Sequence, residues 1–148
     1  MNPNIEAHHI GLYRKDMRAR LYRGKLDSMH ASISRNVQSS SRWEEVRLRN
    51  ARGFLQEIGV RSVDILKLDT QGCEVPILKS LASYCPRMKV IYVEYHSERD
   101  RLEIDARLSP THILCHGRMS FAHRGMLAYM RKGLSRSADR YRIDVDGR

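Results

Sequence analysis

Cysteine is scarce: Cys73, Cys85 and Cys115 are the only 3 in 148 residues. Three scattered thiols cannot build a disulfide framework, and no CxxC pair is present to hold a structural zinc. They read as reduced, partly buried side chains that pack as small hydrophobes. Glycine is sparse too, at 9, with no GxGxxG-like cluster. No apolar run approaches the roughly 20 residues that a membrane-spanning helix needs. The start, Met1-Asn2-Pro3-Asn4-Ile5-Glu6, shows no charged leader followed by an apolar stretch. A cytoplasmic location with no membrane partner is therefore the expectation.

What is present fits one soluble globular domain. The chain is 41% hydrophobic and 30% charged, which argues against a mostly disordered polypeptide. Lys and Arg number 27 against 17 Asp and Glu, a formal charge of +10. Such a balance suits an anionic partner. Yet the arginines are dispersed from Arg14 to Arg148, and no basic stretch carries interleaved aromatics. A solvated Arg-rich surface is the better reading, and nucleic acid is not expected as a partner.

Along the chain, Ile5 to Tyr13 reads as a strand and Ala19 to Tyr22 as a second, joined by a hairpin-like turn at Arg14-Lys15-Asp16. Residues 35–42 are polar and Ser-rich and read as an exposed loop. Glu45 to Leu48 is a further short strand. Phe54, Leu55 and Ile58 lie at helical spacing within Ala51 to Gly59, with Gly59 as the stop. Val63 to Asp69 reads as a buried strand, Thr70-Gln71-Gly72 as a turn, and Glu74 to Ser83 as a helix that tolerates Pro76 in its first turn. Met88 to Tyr95 is a second buried strand. A helix joining two such strands predicts a parallel pair. Arg99 to Leu108 reads as a helix with Leu102, Ile104 and Leu108 apolar. His112 to His116 and Gly125 to Met130 read as two strands with a turn near Phe121 to Arg124. The segment from Ser135 to Arg148 reads as a polar tail.

In open α/β sheets ligands sit at the C-terminal ends of the parallel strands. Two such ends are legible, Asp69-Thr70-Gln71-Gly72-Cys73-Glu74 and Glu94-Tyr95-His96-Ser97. Adjacent strand ends would gather Asp69, Gln71, Glu94 and His96 around one cleft. His96 is the candidate general base, since its ordinary pKa lies near neutrality. Asp69 would face the cleft. Glu94 would orient an acceptor or His96, although a carboxylate beside an imidazole raises its pKa and weakens it as a base at neutral pH. Gly72 serves the tight turn, and Glu74 sits in a helix's first turn, where the dipole favours negative charge. His8 and His9 are adjacent, face opposite sides of a strand and are given no site. No metal site is assigned.

The run Val63-Asp64-Ile65-Leu66-Lys67-Leu68-Asp69-Thr70-Gln71-Gly72-Cys73-Glu74, followed by a helix with Ile77-Leu78, resembles the signature of FkbM-type methyltransferases, which reads D-I-L-K-I-D-V-E-G-x-E. The order of elements is similar as well: Tyr92-Val93-Glu94 ends the next strand, and a terminal strand pair carries Gly125 to Tyr129. The resemblance spans roughly residues 5 to 133. It implies an α/β fold with a partial Rossmann-like sheet, parallel central strands and an antiparallel C-terminal pair. It implies S-adenosylmethionine as cofactor, with Asp69 and Gln71 as cofactor-binding candidates. It implies O-methylation of a small-molecule hydroxyl acceptor, such as a sugar or polyketide, with catalytic candidates His96, Asp69 and Glu94.

Gln71 stands where the family usually has Glu. The family's first strands, with their Gly-rich cofactor loop, have no counterpart in the sequence. Residues 1–133 then read as an incomplete methyltransferase domain and 134–148 as a polar tail. The chain by itself lacks the half-sheet that would hold the cofactor. The competing expectation is a non-catalytic remnant or a partner-binding module with a basic surface. The strand Ile65 to Leu68 would lack its usual neighbour, which predicts a homo-oligomer or a complementing chain.

Overall fold

The computed structural model describes residues 4–24, 31–33 and 39–134. It is a mixed α/β fold with two sheets, carrying both parallel and antiparallel pairings. The chain divides into two compact units, one of residues 1–61 with 70–81 and the other of residues 62–69 with 82–148.

The first unit holds strands β1 (Gly11–Tyr13), β2 (Met17–Gly24) and β3 (Ser39–Asn50), then helices α1 (Ala51–Glu57) and α2 (Glu74–Ser80). Its sheet order is β1-β3-β2. β1 runs parallel to β3 and β2 antiparallel to it, so Gly11 and Met17 both oppose Leu48. The expected β1–β2 hairpin is therefore corrected: the Arg14 to Asp16 turn carries the chain across β3 rather than into a neighbouring strand. The turn is fixed by Asn50, whose N–H donates to Asp16 Oδ1 at 2.6 Å and whose Nδ2 donates to the Arg14 carbonyl at 2.6 Å. Asn50 also caps α1, accepting from Gly53 N–H at 2.8 Å.

The Ser-rich segment expected as a loop is strand from Ser39 onward, since β3 is twelve residues long. Antiparallel pairing with β2, which sets Gly24 opposite Ser39 and Tyr22 opposite Trp43, outweighs its polar composition. Residues 35–38 of that segment lie outside the described residues, as does the expected tail from Ser135. Ala51, Phe54, Val75, Ile77, Leu78 and Leu81 form the unit's core. Pro76 is the third residue of α2, where its missing N–H would have no helical partner in any case.

The second unit holds β4 (Ile65–Leu68), a 3-10 turn (Cys85–Arg87), β5 (Val90–Tyr95), α3 (Glu98–Leu108), β6 (His112–Phe121) and β7 (Arg124–Arg131). Its sheet order is β4-β5-β7-β6. β4 and β5 are parallel, as the helix between them predicted, and β7 is antiparallel to both β5 and β6. Alternation along β5 buries Ile91, Val93 and Tyr95 on one face, the period-2 consequence of the pleat. Ile104 and Leu108 of α3 are buried with them, while Leu102, expected in that apolar stripe, is exposed. Ser97 caps α3 by accepting from Asp100 N–H at 3.1 Å. β4 is not the fully buried strand its composition suggested: Leu68 is buried, but Ile65 is 63% exposed. It lies at the end of the sheet order, paired on one side only among the described residues.

Candidate functional site

The turn after β4 is built by its own residues. Gln71 and Gly72 take φ values of +54° and +109°, and at the second only glycine is unstrained. Glu74 closes the turn: its buried carboxylate accepts from Thr70 N–H at 2.7 Å and Gly72 N–H at 2.9 Å. Its role is thus more specific than a favourable place on a helix dipole. The Gln71 carbonyl accepts from the buried Ser32 hydroxyl at 2.6 Å. Gln71 and Glu74 belong to the first unit, whereas Asp69, Glu94 and His96 belong to the second.

Within the second unit, Asp69, Glu94 and His96 are brought together. Glu94 is the centre of the group. Its side chain is only 14% exposed, and its two oxygens are taken separately. Oε1 accepts from Arg124 Nε at 3.0 Å, and Oε2 lies 3.1 Å from His96 Nε2. Asp69 hydrogen-bonds the same carboxyl, and its Oδ2 lies 3.5 Å from Lys67 Nζ. Burial pushes the Glu94 pKa above the ordinary carboxylate value, helped by the Asp69 hydrogen bond and opposed by Arg124 and His96.

Arg124 was not anticipated as a site residue. The Arg124-Gly125 pair follows a two-residue turn in which His123 has φ +64°. The β5–β7 register places Gly125 opposite Tyr95. Any Cβ on Gly125 would strike the Arg118 carbonyl and come within 2.9 Å of the Tyr95 hydroxyl. Only glycine lets β7 approach closely enough to set Arg124 against Glu94. The sequence showed the strand and the turn, but the signal for Arg124 lay in the register.

The first unit carries an open cleft of about 750 Å³, lined among others by His8, His9, Leu21, Arg47, Thr70 and Cys73. His8 is held 3.2 Å from Glu6 and stands edge-on to Phe54. Burial pushes the Cys73 thiol up to about 11, so it is not a nucleophile at neutral pH.

No helix among the described residues is long and apolar enough to cross a membrane. No curated protein and no solved structure matches the chain. Residues 3–139 match the family model described as the methyltransferase FkbM domain, with the strand-turn-helix segment, the Glu94 strand end and the β6–β7 pair inside the match. The chain belongs to the FkbM methyltransferase family.

Proposed function

We propose that the chain transfers the methyl group of S-adenosylmethionine to a hydroxyl of a small molecule such as a sugar or polyketide, with the acceptor bound beside His96. The observation that carries this is the joint placement of Asp69, Glu94 and His96 at the ends of β4 and β5. The order β4-β5-β7-β6, parallel and then antiparallel, supports the C-terminal part of a Rossmann-like sheet, within a methyltransferase portion spanning residues 1–133.

Methyl transfer to a hydroxyl is an in-line displacement in which the acceptor loses its proton. His96 accepts that proton at an imidazole nitrogen. Glu94 Oε2 lies beside the ring, 3.1 Å from Nε2. Asp69, beside Glu94, faces the acceptor. The cofactor supplies the electrophilic methyl group. Carboxyls at Asp69 and Glu94 fit its cationic sulfonium end. The amides of Thr70 and Gly72 are already given to Glu74 and do not fit its nucleoside. The chemistry attributable to this chain is therefore that on the acceptor.

Calorimetric titration with S-adenosylhomocysteine tests the proposal. Saturable binding near one equivalent per chain would mean that the residues present rebuild a cofactor pocket, and absence of heat at millimolar ligand counts against methyl transfer by this chain alone.

A further inference from the structure

An ionised carboxylate 3.1 Å from an imidazole normally stabilises the imidazolium. A histidine held in that form at neutral pH cannot accept a proton. Resting on the methyltransferase reading above, we propose that Arg124 is the positioning residue that resolves this conflict. Its guanidinium takes Oε1 of Glu94 at 3.0 Å, so the Glu94 charge is divided between two partners and His96 remains able to accept a proton.

The geometry supports this from three sides. Glu94 is 14% exposed and Arg124 26%, so water screens their attraction only in part. The arginine approaches from β7 and the histidine from the end of β5, so each lies against a different oxygen and they do not compete for one. Gly125 fixes the approach of β7 beside Tyr95, as no larger residue fits there. The charged groups of the unit around the imidazole are Asp69 from the end of β4, Glu94 from β5 and Arg124 from β7. At the start of α3, Glu98 is already held by Arg101 and also feels His123.

The assignment makes a signed prediction. Removing a cation near a coupled acid–base group raises every proton affinity in it. In Arg124→Gln, the whole Glu94 charge falls on His96, and the imidazole protonates at higher pH. In Arg124→Lys the charge is kept, and the midpoint stays close to that of the parent.

The experiment is an NMR titration of the full chain with isotope-labelled histidine, the His96 signal being assigned by its loss in His96→Ala. The expected result is an upward move of the His96 midpoint by about one pH unit in Arg124→Gln, largely restored in Arg124→Lys. An unchanged or lower midpoint in Arg124→Gln, with β6 and β7 amide signals intact, overturns the assignment. Should Arg124→Gln fail to fold, Glu94→Gln serves instead: a fall in the His96 midpoint supports the coupling, and an unchanged midpoint overturns it. The titration needs no substrate. A midpoint that shifts as expected in a chain that binds no S-adenosylhomocysteine would leave the Arg124 assignment standing and remove the methyltransferase reading.

Discussion

At the scale of single residues, the chemistry rests on one partly buried carboxylate, Glu94, with three neighbours. His96→Ala removes the proposed base and is expected to lower methyl transfer by about 100-fold or more, with little change in thermal midpoint, because the ring is only partly buried. A rate assay beside a melting curve checks both halves. The three thiols give a second expectation. Burial pushes the Cys73 and Cys85 thiols up to about 11 each, whereas Cys115 is exposed. A thiol reagent at pH 8 should label Cys115 quickly in the folded chain, and the other two only on unfolding. Rapid labelling of all three in the native state would contradict the burial described.

At the scale of elements, β7 and its contacts decide most. Gly125→Ala would push β7 away from Tyr95 and the Arg118 carbonyl, at a cost of about 1–3 kcal/mol as for other overpacked sites. It should also loosen the Arg124–Glu94 pair, so chemical denaturation and the His96 titration should change together. His112, at the head of β6, is buried and accepts from the Thr111 hydroxyl at 2.9 Å while donating to the Met88 carbonyl at 3.1 Å. Burial lowers its pKa from 6.5, with Arg131 adding to the effect and the Met88 bond opposing it. A histidine lowered on folding contributes stability that is complete above its unfolded value and is lost as pH falls through the folded one. The thermal midpoint should therefore hold above about pH 6.5 and decline below it. That acid limb should shrink in His112→Gln.

Much of this level was legible in the sequence. The apolar runs ending at Asp69 and Tyr95, with a helix between them, carried the parallel pair β4–β5 and so the meeting of Asp69, Glu94 and His96. The β1–β3–β2 arrangement was not legible, because β1 has three residues and its partner in β3 lies far along the chain. Nor was Arg124, whose place depends on the register between β5 and β7 rather than on any local pattern. The Ser39–Arg42 part of β3 was hidden by composition, since polar residues that become strand through pairing with the distant β2 look like a loop when read alone.

At the scale of the whole molecule, the +10 charge and the strand edges act against each other. β4 exposes Ile65, and β6 exposes Met119 and Phe121 near its end. Such edges are templates for pairing with a second copy, and like charge resists it. Light scattering should therefore show self-association that strengthens with salt, as screening shortens the repulsion. Ile65→Lys should weaken it. A strictly monomeric chain at all salt concentrations would contradict this expectation. Binding to nucleic acid would show the opposite salt dependence.

The most direct test of the central claim is transfer of labelled methyl from S-adenosylmethionine to a panel of sugar and polyketide hydroxyl acceptors, comparing the parent chain with His96→Ala across pH. The expected result is label in a hydroxyl acceptor, a rate that rises with pH as His96 loses its proton, and a loss of about 100-fold or more in His96→Ala. Transfer by His96→Ala at the parent rate and with the parent pH profile would contradict it.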